Sequence, residues 1–447
     1  MITKNTYKQR TFLDPIHGPI KLNLNDPIDF LLANIIDTKE FQRLRRIRQM
    51  GLGWFTFHGA EHTRFGHSIG AMFVAKKMIT HLADNFEEIN KYKARILVSA
   101  LIHDIGHGPF SHTSEKLLGF SHEQWTKKII EGDSEIRKLF VEFDKNFLDD
   151  VIEIMNGKVE AGLPRLYLSQ IISSYVDCDR LDYLHRDSYY IGVPYGLTGS
   201  DRIIASLEVD KVRGEGTSPL LVINENVGLD AVIHYLQARY SMYQQVYQHK
   251  KNLACDFLLR KIIERLKEVK PKNIPHVLYE WLNIDKKQLE KIDLSPYLGV
   301  DDFYLMSAIQ SFSEDLTGDK ILKDLSGRFT MRKLFKSLEF RQEVNKNKIS
   351  EVLEKLKPIS KNKDVDPTFY LGIEQSAAKP YEPYQVTDKT GKAIFIKQNN
   401  GVVKELSEVS GLVKALSQEN IVKTCLVFAP ELEDEITNTK GFQELFK

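Results

Sequence analysis

The 447-residue chain reads as mainly α with a smaller α+β lobe at its C-terminal end. Two observations predict this. Up to about residue 270, apolar residues recur at a spacing of three or four, the mark of helices with one buried face. From about Asp364 the texture changes to short apolar runs bounded by turn residues, the mark of strands. The expected division is therefore 1–357, a helical core with a helical extension, and 364–447, an α+β lobe and candidate assembly surface. The Lys-rich run PISKNKDVDP (358–367) reads as the linker between them.

In chain order, Ile69 to Leu82 (IGAMFVAKKMITHL) carries the helical period, and Lys93 to Ile102 (KARILVSALI) gives a second, mostly buried helix. Gly106, Gly108 and Pro109 stop that helix and leave His103, Asp104 and His107 around its end. Leu166 to Tyr190 reads as a helix, Ser218 to Asn224 as a short strand, and Leu229 to Val269 as one long helix without Gly or Pro. In the lobe, FYLGI, AIFIK and TCLVFAP are candidate strands, Asn399-Asn400-Gly401 a turn, and SGLVKAL a helix. No internal repeat or low-complexity segment interrupts this order.

Composition narrows the function classes. With 62 Lys+Arg against 61 Asp+Glu, the net charge of +1 provides no global field to draw in nucleic acid or an anionic membrane. Cys178, Cys255 and Cys425 are far apart and form neither a CxxC pair nor a disulfide framework, which points to a reducing compartment. No segment approaches the roughly 18 apolar residues of a membrane span, so a cytoplasmic protein is expected.

The histidines are unevenly placed. Eight of the 13 fall between His58 and His122, a cluster that suits metal binding or acid/base work. HDIGHGPFSH holds three histidines and an Asp in ten residues. A helix ending needs its glycines and proline but not its histidines. His67, the adjacent pair His103 and Asp104, and an Asp from the segment near 177–182 could bind one divalent ion together. Imidazole with carboxylate suits Mn, Fe, Zn, Co or Ni.

These segments also carry a resemblance. DPIHG (14–18), IDTKEFQRLRRIRQMG (36–51), HTRFGHSIG (62–70), ALIHDIGHGPFSH (100–112), HEQ (122–124), DCDRLDYLHRDSYYIG (177–192) and ARYSMYQQVYQHK (238–250) resemble the HD-domain superfamily. Within it they are similar to the deoxynucleoside triphosphate (dNTP) triphosphohydrolases related to the sterile-alpha-motif and HD-domain dNTPase. The resemblance covers about the first 250 residues and implies an HD-domain helical metal-hydrolase core. It implies metal ligands His67, His103, Asp104 and Asp179, with Mg bound alongside the substrate phosphates. It places His107, His122 and Glu115 around the nucleophilic water and His112 near the leaving oxygen. It sets Gln49 and Asp187 at the sugar 3′-hydroxyl, Tyr183 and Tyr247 against the sugar, and Arg64, Arg180 and Arg239 at the phosphates. Arg180 stands where the family usually has Lys.

Arg10, Asp37, Gln42 and Arg45 match a separate nucleotide-binding activating site between subunits, with Arg10 standing where the family has Lys. His58, His62 and His81 receive no role. The expected reaction is dNTP plus water giving deoxynucleoside and inorganic triphosphate, in a homo-oligomer, with a tetramer favoured. No membrane partner is expected, and a nucleic-acid partner is left open. Two rivals share these residues: another HD hydrolase (nucleotidase, phosphodiesterase or nuclease), and a nucleotide- or nucleic-acid-binding regulator with a vestigial centre.

Overall fold

The computed structural model describes residues 8–156, 166–210, 219–272, 274–284, 292–314, 318–383, 392–439 and 441–447. The chain opens with an antiparallel hairpin, β1 (Gln9–Asp14) against β2 (Gly18–Asn23). Gly18 turns it at φ 70°, a left-handed value that favours glycine. Helix α1 (Pro27–Asp37) follows. Asp26 caps it by accepting from the amides of Ile28 and Asp29, and Pro27 takes a first-turn position where no amide is needed.

Two helices form the centre of the first core; the second matches its expected extent, and the first begins at Arg64, ahead of the expected Ile69. Helix α2 (Arg64–Ala83) is buried along most of its length, and α3 (Lys93–Ile102) begins and ends where the apolar period does. The chain then makes the tight turn 103–111 and enters α4 (His112–Leu118). Helix α5 (His122–Glu131) starts with a capping box in which Ser121 and Gln124 satisfy each other's backbone amides.

Two long expected helices are broken. The segment 166–190 divides into Leu166–Ile172 and α6 (Cys178–Ile191), because Asp177 adopts an extended backbone and caps the second helix. Its carboxylate accepts from the amides of Arg180 at 2.7 Å and Ser174 at 2.8 Å, a competition that periodicity alone does not reveal. Likewise 229–269 divides into α7 (Glu225–Met242), a π-turn at Tyr243–Tyr247, and α8 (Lys250–Val269), which His249 caps from an extended conformation. Neither break involves Gly or Pro.

The expected strands all overlap observed ones, although FYLGI continues to Ala378 and TCLVFAP begins earlier, at Ile421, and the strands Leu207–Asp210, Lys336–Glu339 and Val403–Glu405 were not expected. Between α6 and α7 lie β3 (Leu207–Asp210) and β4 (Leu220–Asn224). Ser218, the expected start of the latter, lies outside the described residues. Helix α9 (Asp302–Ser313) then leads to β5 (Lys336–Glu339) and α10 (Lys346–Asn362). This last helix corrects the expected linker: it runs through Pro358, and its buried Val352, Leu356 and Ser360 hold it against the body. After it come β6 (Leu371–Ala378), β7 (Phe395–Lys397), β8 (Val403–Glu405) and β9 (Ile421–Phe428). The Asn-Asn-Gly turn joins β7 to β8, and SGLVKAL lies in the helix Gly411–Gln418.

The C-terminal segment shares both of its sheets with earlier chain. Strand β7 runs parallel to β4, and β9 is sandwiched between β5 and β6. Three apolar clusters result: one around α1, α2, α3, α6 and α7, one around α8 and α9, and a small one beneath the β5-β9-β6 sheet. The turn 103–111 sits where the first two meet, so the residues it carries are held from both sides.

Candidate metal centre and adjoining cavity

His67 on α2 and His103 at the end of α3 bring their Nε2 atoms within 3.3 Å of each other. Asp179, in the first turn of α6, places Oδ1 at 3.1 Å from the first and 3.5 Å from the second. Asp104 approaches the same two nitrogens at 3.5 and 3.4 Å. Donor atoms sharing one ion at bonds of about 2.0–2.2 Å stand roughly 3 Å apart, so His67, His103 and Asp104 could hold a single divalent ion, with Asp179 reaching both histidine nitrogens beside them. The ring orientations are fixed from behind. His67 Nδ1 meets Asp182 Oδ2 at 2.7 Å and His103 Nδ1 donates to the Ala100 carbonyl at 2.8 Å, which turns both Nε2 lone pairs toward the carboxylates. Acceptors converging on one point need a cation between them.

The electrostatics agree. Burial depresses the His67 pKa, yet hydrogen bonds to Asp179 and Asp182 outweigh it and push the imidazole up to about 10. Burial opposes ionisation of Asp179 too, but His103 and His67 hold its carboxyl well below the usual range. In the metal-free protein a proton therefore fills the cation's place at neutral pH. The sign follows: because the folded pKa lies above the free value of 6.5, uptake of an ion at pH 7–9 must expel that proton. Affinity is expected to climb about tenfold per pH unit across this range. Titration calorimetry in two buffers of different ionisation enthalpy reads the released proton, and an affinity flat from pH 7 to 9 would refute this protonation state.

Behind His67, Asp182 is wholly buried. It accepts from Arg186 Nε at 2.8 Å and Nη2 at 2.9 Å, and His17 Nε2 stands at 2.6 Å. Arg186 in turn donates to Asp14 at 2.9 Å. Residues of the DPIHG and DCDRLDYLHRDS motifs thus form one ionic frame around His67, a candidate ligand. A Cβ on Gly70 would lie 2.1 Å from Asp182 Oδ1, which explains why α2 carries a glycine there.

The other side of the centre is held by the turn. Arg64 pairs with Asp104 and donates through Nε to Ser111 Oγ at 2.8 Å. Phe110 and Ser111 sit at φ 56° and 53°, a conformation non-glycine residues rarely adopt. Asp302 of α9 accepts from the Phe110 amide at 2.7 Å and the Arg48 amide at 2.9 Å, and burial lifts its pKa to about 6. Tyr297 donates to the Gly106 carbonyl at 2.6 Å and Arg43 to the His107 carbonyl at 2.7 Å. Asp302→Ala is expected to release the strained pair and lower turnover about 10- to 100-fold, the size of effect seen when groups orienting a metal site are lost. Parallel measurement of turnover and metal affinity checks it, and wild-type values in both would contradict it.

Beside the ion-binding group, three imidazoles surround one carboxylate. Glu115 Oε1 lies 2.9 Å from His112 Nδ1, 3.0 Å from His122 Nδ1 and 3.3 Å from His107 Nδ1. His107 and His122 stack with centroids 3.9 Å apart. Burial, the positive Arg64 and His122 hold the His107 pKa well below 6.5, so its ring is neutral and able to accept a proton. Ser111 makes no side-chain cap of α4, because its hydroxyl donates to the Arg48 carbonyl at 2.7 Å and accepts from Arg64.

A cavity of about 520 Å³ opens onto this group. Gln49, Tyr183, Asp187 and Tyr247 line it, together with Gln248 and Asn252, which were not anticipated. Tyr247 donates to Asp187 at 2.9 Å, while His62 holds the other Asp187 oxygen at 2.7 Å and stacks on Tyr190. His62 is thus a positioning residue that sequence reasoning passed over, because its partner lies 125 residues away. The π-turn redirects Tyr243 and Tyr247, whose rings lie 5.2 Å apart at the cavity wall.

The expected phosphate-binding arginines divide. Arg64 and Arg180 line the cavity, but Arg180 also donates to the Ser174 carbonyl at 2.6 Å and pairs with Asp177. Arg239 is buried beside Tyr175 and Tyr243, donates to the carbonyls of Lys379 and Pro380, and does not belong to the cavity lining. The four residues matched to an activating site do gather on one surface. Arg10 pairs with Asp37 at 2.7 Å, Gln42 accepts from Arg45 at 2.8 Å, and Arg45 feels the charges of both Arg10 and Asp37.

A buried His/Asp group able to hold an ion on a helical core, next to a cavity, defines a metal-dependent hydrolase of the HD type. Residues 64–187 match the family model described as HD domain. Over 414 residues the chain is 34% identical to the uncharacterized protein YwfO of Bacillus subtilis, covering 92% of this chain and 90% of that one. It is 29% identical over 278 residues to the deoxynucleoside triphosphate triphosphohydrolase SAMHD1 of Homo sapiens, covering 55% of this chain and 43% of that protein. The crystal structure of a phosphohydrolase from Bacteroides thetaiotaomicron superposes with a TM-score of 0.78 at 28% identity, over 94% of this chain and 99% of that one. The chain belongs to the HD-domain family of phosphohydrolases and is similar to its dNTPases. Among the described residues, no helix is long and apolar enough to cross a membrane.

Proposed function

We propose that the protein hydrolyses dNTPs to deoxynucleoside and inorganic triphosphate, with a nucleotide bound at the Arg10, Asp37, Gln42 and Arg45 cluster as activator of a homo-oligomer in the cytoplasm. The observation that carries this reading is the pairing of the ion-binding group with a cavity whose walls suit a sugar. Gln49 Oε1 is buried there with no hydrogen-bond partner among the described residues, and the Asp187–Tyr247 pair lies in the same lining. Similarity to the human enzyme adds the substrate class.

A divalent ion held by His67, His103, Asp104 and Asp179 would supply Lewis acidity to the α-phosphate and lower the pKa of a water. The remaining work falls to the chain. His107, kept neutral by burial and Arg64, accepts a proton, and Glu115 steadies the histidines around it. Arg64 and Arg180 offset phosphate charge. Water oxygen bonds to the α-phosphorus as the bond to the sugar 5′-oxygen breaks, and that oxygen takes up the proton. We assign the delivery of that proton to His112, the most exposed of the cluster.

Tyr183, held 6.2 Å from Tyr247, would crowd a 2′-hydroxyl. The enzyme is therefore expected to turn over dATP at least tenfold faster than ATP. Equal rates would end the sugar-selection argument.

One observation favours a second reading, a nucleotidase or phosphodiesterase of the same superfamily: the position of Arg239 outside the cavity leaves fewer cations for three phosphates. Anion-exchange chromatography decides between them. Each dNTP, alone and in an equimolar mixture, is incubated with protein and Mg or Mn, with an EDTA control. Deoxynucleoside plus intact triphosphate is the expected result. Phosphate or pyrophosphate as initial product would favour the second reading, and turnover equal in single and mixed nucleotides would remove the activator.

A further inference from the structure

We propose that His107, His112, His122 and Glu115 form a second, separate binding site for a zinc-class ion, whose occupation switches off the catalytic histidines. The donors are arranged as such a site requires. The three Nδ1 atoms stand 2.9, 3.0 and 3.3 Å from a single oxygen, Glu115 Oε1, and all four donor atoms lie within 4.8 Å of one another. A tetrahedral ion with bonds of about 2.0–2.1 Å has donors roughly 3.3–3.5 Å apart, so a small retreat of each side chain opens the centre. Three imidazoles with one carboxylate is a zinc donor set, and none of the four residues belongs to the His67, His103, Asp104 and Asp179 group.

The hydrogen bonding of the cluster is incomplete as it stands. Glu115 Oε1 already serves His112 and His122, and His107 Nδ1 is buried with no hydrogen-bond partner among the described residues. A buried nitrogen of this kind, aimed at a point where two further imidazoles and a carboxylate converge, is completed by an ion but not by another proton. The backbone supports the same convergence. Gly106 lies against the backbone of α5, where a Cβ would meet the His122 carbonyl at 2.1 Å, so α5 presses His122 onto the His107 ring. His112, exposed at the rim, leaves the ion a path in.

The consequence for turnover rests on the reading of His107 as proton acceptor, while the site itself does not. Once Nδ1 coordinates an ion, a neutral imidazole carries its remaining proton on Nε2 and can no longer accept one there. Excess Zn²⁺ would thus inhibit an enzyme that one equivalent of another divalent ion activates.

The experiment measures binding apart from activity. Full-length protein is loaded with one equivalent of Mn²⁺, titrated with Zn²⁺ against a chromogenic chelator, desalted, and its metals counted. Co²⁺ serves as a parallel visible-spectrum probe of tetrahedral coordination. Wild type is expected to retain one further equivalent of Zn²⁺ and to show the tetrahedral Co²⁺ bands. His112→Ala and Glu115→Gln are each expected to lose that equivalent and those bands while keeping the first metal and the wild-type thermal midpoint. His112→Ala guards against misfolding, since the side chain it removes is 67% exposed. A single retained equivalent in wild type, or a second one untouched by both substitutions, overturns the proposal. A second equivalent that leaves turnover unchanged refutes the switch, and with it the proton-acceptor role of His107, while the site stands.

Discussion

Asp179→Asn is expected to lower metal-dependent hydrolysis by about a thousandfold or more, because a neutral amide removes one of two anionic donors from the ion. The substitution keeps the side chain's shape, so packing of α6 is undisturbed. Its effect is electrostatic: Asp179 faces both candidate ligand histidines, at 3.1 and 3.5 Å, and among the described residues Asp104 is the other carboxylate that does so. Metal content after gel filtration and initial rates with Mn²⁺ check it together. Wild-type metal content with wild-type rate would remove Asp179 from the ligand set. The same variant makes a second, opposite prediction for the protonated state. With one hydrogen-bonding carboxylate gone, His67 should lose much of the elevation that brings its pKa to about 10, which NMR titration of the imidazole reads.

Asp182→Ala is expected to destabilise the fold by about 3–5 kcal/mol, the range for removing one partner from a buried ionic group. Asp182 touches His67, His17 and Arg186 with no exposure to solvent, and Arg186 is itself 1% exposed. Deleting the carboxylate strands a buried guanidinium whose one remaining carboxylate partner among the described residues is Asp14, and frees His67 to rotate. Both metal affinity and the urea midpoint should fall. A loss below about 1 kcal/mol, the level of a surface pair, would show that water reaches this frame.

How far the sequence speaks can be followed along particular residues. Helix α3 is legible to the residue because it is buried on every side from Ile96 to Ile102 and apolar there but for Ser99, and the glycines after it mark its stop. His103 and Asp104 stood out for the complementary reason: polar groups at a buried helix end need a purpose. Three of the lobe's strands were legible in place but not in extent, since β-branched and aromatic runs mark a strand's centre while pairing with a neighbour sets its ends. The breaks at Asp177 and at Tyr243–Tyr247 were hidden. A capping carboxylate and a π-turn form no pattern in hydrophobic spacing, and both arise where the chain bends to face the site.

The sequence by itself determined that a metal or acid/base site lies among the clustered histidines and aspartates, and the resemblance of its ordered motifs to the HD-domain superfamily implied that the chemistry is hydrolysis. Tertiary structure alone decided which groups act together. His62 reached Asp187, His17 and Arg186 reached Asp182, Asp302 reached the strained Phe110, and Arg239 turned away from the cavity. Each of these contacts except Asp182–Arg186 joins residues more than a hundred positions apart or depends on a side chain's direction. Such pairings are fixed by the packing of whole helices, and packing depends on the shapes of all the neighbours at once, so no local spacing can encode it.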